Sequence, residues 1–392
     1  MHINILARPD HSLKLFEQLL KIKSEDDVIK LYTFYALRKG SVANNLFPKF
    51  KTAPEQAIVL MFFTFITRIS NIFLRKIGVN TRENEIRMFR AFAPKAELAK
   101  ADVLHYWPFY CAGMVKQLKG NKNMRTVAEY YEAEPSFVNS IYDDEYKKFA
   151  IKTEKKINTL IDQNACFEFE DNFIVASEFT KKTYELKYPN KNYYVCKYGP
   201  AGYPLDKNSD FFVSKKCEVF NIVFVGQICV EKGVHYLIEA VKNIDVKLDL
   251  VGPIRNGQEK IFSKMISENK NVKHLGPKRH SEILDILRGY DLFCLPSLAD
   301  NYSLAVVEAL SVRIPVVVTE NCGNAEDVKR YNLGLVATVK NADSLKACIM
   351  GIKTNFDFSL FNDGLEEFFS LENQLVYPKA VLDVYKMIAG SY

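Results

Sequence analysis

Between residues 221 and 352, short apolar runs alternate with amphipathic stretches, and this alternation leaves few architectures open. Asn221-Ile222-Val223-Phe224-Val225 is apolar on both of its faces after the first residue. Runs of the same kind follow at 247–251, 272–275, 291–295, 315–319 and 334–337. After the first run, Val234, Leu237, Ile238 and Val241 recur at helical spacing, and similar patterns lie near 259–268, 281–288, 303–312 and 343–352. Strands that are apolar on both faces and alternate with helices form a parallel sheet covered on both sides.

The first half alternates less cleanly. Residues 3–7, 28–34, 103–107, 125–130, 173–177 and 193–198 read as strands, with a long helix expected over 54–76. "GPAGYPLDKNSD" (199–210) is a turn-rich connector. A chain of 392 residues exceeds what one core usually supports. The expectation is an α/β protein of two Rossmann-like, doubly wound domains facing a cleft. The first spans 1–205 and the second 206–372, with a last helix near 373–392 packing back on the first. Open parallel sheets bind ligands at the carboxyl ends of their strands, so the cleft is the place to look for chemistry.

Charge and composition narrow the partners. The first 100 residues carry 17 Lys and Arg against 9 Asp and Glu, out of a net +6 for the chain. A basic first domain suits an anionic partner or a solvated face equally. Nucleic acid is not expected, because the aromatic residues there sit in apolar runs rather than among the basic ones. The apolar stretch "AIVLMFFTFI" (57–66) is too short to cross a bilayer. It reads as a buried core helix or as an interfacial helix making peripheral membrane contact. Residues 1–7 read as a strand rather than a leader. The eight cysteines lack any paired spacing, which suggests buried thiols in a reducing cytoplasm. No metal-ligand pattern occurs, and neither a metal nor a cofactor is expected.

The strand-to-helix turns of the second half hold the candidate site. After the first run, Gly226 permits a tight turn, Gln227 follows, and Lys232 precedes Gly233 where a helix opens. A Lys in that place suits a phosphate. After the fourth run comes "LPSLADNYSLAVVEAL" (295–310), with Asp300 in a loop, then Asn301, Tyr302 and Ser303, and Glu308 within the next helix. Ser303 is expected to cap that helix, leaving backbone N–H groups of Tyr302 to Leu304 turned to the cleft. Carboxylates suit sugar hydroxyls because each oxygen accepts a hydroxyl proton.

These pieces, in this order, resemble a retaining glycosyltransferase of the GT-B fold, family-4 type (glycosyl transferases group 1). That family's P-S-x-x-E-G-F-G-L…E-A signature stands here as Pro296-Ser297-Leu298-Ala299-Asp300-Asn301-Tyr302-Ser303-Leu304, then Glu308-Ala309. Its G-R…K-G turn is matched by Gly226-Gln227 through Lys232-Gly233. Its P-V-V…G-G-x-x-E turn is matched by Pro315-Val316-Val317 through Glu326. The likeness covers roughly 220–350, and "VASEFTKK" (175–182) resembles the end of the family's first domain. Asp300 replaces the family's Glu, Asn-Tyr-Ser replaces Gly-Phe-Gly, and Gln227 replaces an Arg, which leaves Lys232 as the matched cation. The family's active-site His falls near Glu129, the one weak candidate for a base at that position.

The resemblance implies a nucleotide-sugar donor, UDP- or GDP-linked, and metal-free transfer with retention to a glycan or lipid-linked acceptor, as in bacterial surface polysaccharide assembly. Lys232 would hold the leaving diphosphate, Asp300 the donor sugar and Glu308 the ribose. Two alternatives stand beside it: a catalytically degenerate homologue acting as a scaffold, and a sugar-nucleotide epimerase of the same fold.

Overall fold

The computed structural model describes residues 1–7, 11–33, 36–38, 51–53, 58–59, 93–119, 124–151, 166–206 and 219–390. The first half builds a seven-stranded sheet in the order β5-β2-β1-β6-β7-β8-β9. Its strands are β1 (His2–Ala7), β2 (Val28–Thr33), β5 (Ile58–Val59), β6 (Val103–Tyr106), β7 (Arg125–Tyr130), β8 (Asn172–Val175) and β9 (Asn192–Val195). Every pairing is parallel. Two short strands, β3 (Ala36–Arg38) and β4 (Lys51–Ala53), pair with each other beside it.

The parallel register requires both faces to be covered, and both are. Helix α1 (His11–Ile22) contributes Leu15, Phe16 and Leu19 to a core with Ile3, Ile5 and Ile29. That core also takes in Tyr377, Val381, Leu382 and Tyr385 of the chain's last described helix, Val376–Ala389, which therefore packs on the first sheet. On the opposite face Leu6, Leu104 and Phe173 meet Cys111, Met114 and Val115 of the helix Pro108–Leu118. Each such large apolar side chain contributes about 1.5–3 kcal/mol on burial.

The second half builds a six-stranded parallel sheet in the order β12-β11-β10-β13-β14-β15. These strands are β10 (Phe220–Val225), β11 (Val246–Val251), β12 (Val272–Gly276), β13 (Leu292–Leu295), β14 (Val316–Thr319) and β15 (Gly334–Ala337). Ile222, Val223 and Phe224 are all fully buried, as their apolar neighbours on both faces require. The chain runs outward from β10 to β12, then returns to place β13 on the other side of β10. The turns after β10 and β13 therefore diverge around one crevice, the position where such sheets take ligands.

One expectation needs correction. Within the apolar stretch 57–66, Ile58–Val59 is the edge strand β5, paired with Tyr32 and Thr33, not part of a helix. A ten-residue apolar run fits either element by length, and here the open edge of β2 recruits its start as strand. The rest of 54–76 lies outside the described residues, as does the question of an interfacial helix. No helix among the described residues is long and apolar enough to cross a membrane.

Candidate functional site

The two turns flanking the β10/β13 crevice bring Lys232 and Asp300 together. Lys232 Nζ lies 2.5 Å from Asp300 Oδ2, with the Asp300 side chain largely buried and the lysine about one-third exposed. Burial works against the lysine's charge, but Asp300 outweighs it and raises the Lys232 pKa. The turn reaches this geometry through Gly233, whose φ of 65° is left-handed and whose Cβ, if present, would fall on the carbonyl oxygen of Pro296. Residues 296–300 thus lie directly against the helix that Lys232 introduces (Val234–Ala240). Asp300 is fixed by its backbone, donating from its N–H to Asn321 O at 2.9 Å and accepting from Gly323 N–H at 2.8 Å.

The tripeptide after Asp300 does something other than the sequence suggests. Tyr302 is a core residue, and its hydroxyl donates to Asp327 at 2.8 Å. Asn301 faces the first domain: Thr180 Oγ1 donates to its Oδ1 at 3.1 Å, and its Nδ2 donates to the carbonyl of Tyr131. Ser303 precedes the helix Leu304–Ser311 without a side-chain capping bond. Its N–H donates instead to Asn324 Oδ1 at 2.6 Å, so that amide is already committed. Leu304, at the helix start, is partly exposed. Gly323 is required where the two turns touch, because a Cβ there would meet the carbonyl of Asn301.

Glu308 sits inside that helix, largely buried, with the Tyr203 hydroxyl donating to its Oε1 at 3.3 Å and His280 Nδ1 3.7 Å away. Burial raises its pKa above the usual carboxylate range, against the pull of His280 and Tyr203. Tyr203 in turn is pushed up to about 12, by burial first and then by the Glu308 charge. Both acids therefore border the same helix, Asp300 before it and Glu308 within it.

Gly226, at φ 150°, turns the chain after β10 and leaves Gln227 exposed. Gln227 is not alone: Arg255, from the turn after β11, donates through Nε to its Oε1 at 2.9 Å and through Nη1 to Glu231. Glu231 is nearly buried, accepts from Tyr146 of the first domain and lies 3.3 Å from Gln258 Nε2. Lys232 is therefore not the sole cation at these turns. Arg255 lies in "GPIRNGQ", a glycine-bounded loop with no periodicity. The one signal that could have found it is that it follows the neighbouring strand of the same sheet.

The helix Pro135–Lys148 of the first domain closes over this region. Glu145, fully buried, lies 3.1 Å from His235 Nε2, accepts from Tyr236 at 2.9 Å and from Lys148 at 2.8 Å, and lies 3.5 Å from Lys340. Burial opposes its charge, but hydrogen bonds from His235, Lys148 and Tyr236 hold its carboxyl down at about 2. None of these residues stood out in the sequence, because no local pattern links positions about 90 apart.

Glu129 is a correction. It lies on β7 but is buried, accepting from Tyr377 at 2.6 Å and standing 2.9 Å from His105 Nε2. His105 Nδ1 is 2.6 Å from the Tyr385 hydroxyl, so β6, β7 and the last helix share one buried polar cluster. Glu129 is thus sealed beneath that helix, and the expectation of a base there gives way to a packing role.

Comparison with known proteins bears on this geometry. Residues 206–356 match the model of the family described as glycosyl transferases group 1. An uncharacterized glycosyltransferase of Methanocaldococcus jannaschii is 28% identical over 170 residues, 42% of this chain and 46% of that protein. A capsular polysaccharide biosynthesis glycosyltransferase of Staphylococcus aureus is 26% identical over 124 residues, 30% of this chain and 32% of that one. The match thus spans less than half the length of these relatives. Among solved structures, a sucrose-phosphate synthase of Thermosynechococcus elongatus superposes with a TM-score of 0.65 at 16% identity, covering 100% of both chains. The Anabaena protein HepE, solved in complex with UDP-glucose, superposes at 0.56 with 14% identity and 100% coverage of both. At such identities the structural likeness establishes the GT-B fold of two Rossmann-like domains.

Proposed function

We propose that this chain, whose residues 206–356 match the glycosyl transferases group 1 family model, moves a sugar from a nucleotide-sugar donor to a glycan or lipid-linked acceptor. The observation that carries the reading is the Lys232–Asp300 pair beside the crevice where the strand order reverses, with Glu308 on the adjoining helix. A cation, a carboxylate beside it and a largely buried acid on the adjoining helix are the groups that the diphosphate, sugar and ribose of one donor would need. HepE's complex with UDP-glucose makes UDP-sugars the first donors to test here. The S. aureus capsular relative makes surface polysaccharide the first acceptor class.

In this reading the donor's diphosphate takes Lys232 away from Asp300, freeing the carboxylate to accept hydroxyls of the donor sugar. Lys232 then faces the charge that grows on the diphosphate as the sugar–oxygen bond breaks. A positioned donor at such a centre is typically worth about 10²–10³ in rate, because its charge is fixed in a water-poor site before the reaction. Glu308 accepts from the ribose as a carboxylate. The acceptor hydroxyl attacks from the face the diphosphate leaves and passes its proton to the departing diphosphate oxygen, giving retention without a side-chain nucleophile or a metal.

The test is nucleoside diphosphate release from a panel of UDP- and GDP-sugars in the presence of polysaccharide or lipid-linked fractions. Wild type releases the diphosphate acceptor-dependently, Glu308→Ala does not, and chelation by EDTA leaves the rate unchanged. Acceptor-independent conversion of the donor sugar to its epimer would replace this reading with an epimerase. Because Glu129 is withdrawn into the core, the scaffold reading retains a specific support. It would prevail if no donor is consumed while Glu308→Ala still sustains the protein's role in cells.

A further inference from the structure

The turn after β10 offers a donor diphosphate one lysine, and that lysine is already neutralised by Asp300 at 2.5 Å. A nucleoside diphosphate brings at least two negative charges into a half-buried crevice, where an uncompensated charge is costly. The second cation at this edge is Arg255. Its Nε donates to Gln227 and its Nη1 to Glu231, while Nη2 donates to no protein group among the described residues. A guanidinium presents five N–H donors in a rigid plane; with Nε and Nη1 each engaged, the plane is held and the two N–H groups of Nη2, which lies between them, are left to a ligand. Its side chain is about 40% exposed, whereas the Glu231 that orients it is nearly buried.

The brace is deliberate in its chemistry. Glu231 is itself held by the Tyr146 hydroxyl from the first domain. It immediately precedes Lys232 in the chain, so the Arg255 brace and the Lys232–Asp300 pair share one turn. The turns after β10 and β11 are joined directly, Ile228 bridging to Ile254 and the Arg255 N–H donating to the Ile228 carbonyl at 3.0 Å, which brings Arg255 to the turn that carries Lys232. Lys232 must give up Asp300 to bind phosphate. Arg255 need break nothing.

We propose that Arg255 is the second diphosphate ligand of this site, positioned by Gln227, Glu231 and Tyr146, and that it distinguishes nucleoside diphosphates from monophosphates. The inference rests on the donor-site reading above and deepens it. Gln227 is in hydrogen-bond contact with the guanidinium, so Gln227→Arg should place an equivalent charge beside that spot from the adjacent strand end.

Calorimetric titration with UDP and with UMP tests this on wild type, Arg255→Ala, Arg255→Lys and the double variant Gln227→Arg/Arg255→Ala. Wild type should bind UDP at least about tenfold more tightly than UMP. Arg255→Ala should reduce that ratio to about two or less while keeping UMP affinity within about threefold. Arg255→Lys should recover part of the ratio and the double variant most of it. An unchanged UDP-to-UMP ratio in Arg255→Ala would overturn the inference while leaving the donor site standing. So would loss of UMP binding in parallel, because the arginine would then be bracing the fold. If wild type binds neither nucleotide nor their guanosine counterparts GDP and GMP, both this inference and the donor-site reading fail.

Discussion

Lys232 Nζ and Asp300 Oδ2 stand 2.5 Å apart across the point where the second sheet reverses its strand order, one after β10 and the other after β13. The relationship means that each holds the other before any ligand arrives. In the proposed donor site a diphosphate would compete with Asp300 for the lysine, and a sugar with Lys232 for the carboxylate.

Asp300→Asn should therefore separate binding from turnover. Removing the carboxylate's charge releases Lys232, so a nucleoside diphosphate lacking the sugar should bind more tightly, by about tenfold or ~1.4 kcal/mol. Turnover of the intact donor should fall by about 10² or more. Titration calorimetry and a release assay on the same preparation check both. Weaker binding in Asp300→Asn would show that the pair is a structural ion pair rather than a ligand-gated one.

Glu308 should make donor binding pH-dependent. Burial raises its pKa, and only the carboxylate accepts two ribose hydroxyls, so affinity is full above the raised pKa and declines as pH falls through it. Wild-type affinity for a nucleoside diphosphate should thus begin to fall at a pH above the ordinary carboxylate value. Glu308→Gln should bind weakly and with a flatter profile over the same range. Equal slopes in the two proteins would remove Glu308 from the ribose.

The interdomain cluster should appear as acid sensitivity. The Glu145 carboxyl is held at about 2, below its ordinary 4.5, by its three hydrogen-bonding partners despite burial. A depressed carboxylate contributes stability that is present above the unfolded value and is lost as pH falls from about 4.5 towards 2. Glu145→Gln should lower stability at pH 7 by about 3 kcal/mol, because it removes the negative charge that His235, Tyr236 and Lys340 surround and turns an N–H donor towards them in place of one carboxylate oxygen. Urea unfolding at pH 7 and pH 4 measures both effects. The gap between wild type and variant should narrow at the lower pH.

Gly233→Ala should cost more than an ordinary helix-start substitution. The position combines φ of 65° with no room for a Cβ against Pro296, so at least about 2 kcal/mol is expected. The damage should be local to the Lys232 turn, with nucleotide binding lost before global unfolding. Near-UV circular dichroism against denaturant, followed with and without UDP, distinguishes this from a uniform loss.

Legibility divided along physical lines. The second sheet was readable because strands such as Ile222–Phe224 are buried on both faces, which forces a continuous apolar run into the sequence. Strand β5 was not, because Ile58–Val59 lies in a run whose length and composition also fit a helix. Tyr302 looked like part of a polar loop, yet one hydroxyl bond to Asp327 is enough to let the whole ring enter the core. Lys232 and Asp300 carried a spacing that places them on strand-to-helix turns. Arg255, Glu231 and Tyr146 carried none, since their meeting depends on two chain reversals and a domain contact. Glu129 misled for the same reason: its partner Tyr377 lies 248 residues away.

The most direct measurement is calorimetric binding of UDP, GDP, ADP, CMP and dTDP to wild type and to Glu308→Ala. The account predicts selective binding of one nucleoside diphosphate by wild type and a loss of at least about tenfold in the variant. Wild-type binding to none of them, or equal binding by both proteins, would contradict a donor site built from Lys232, Asp300 and Glu308.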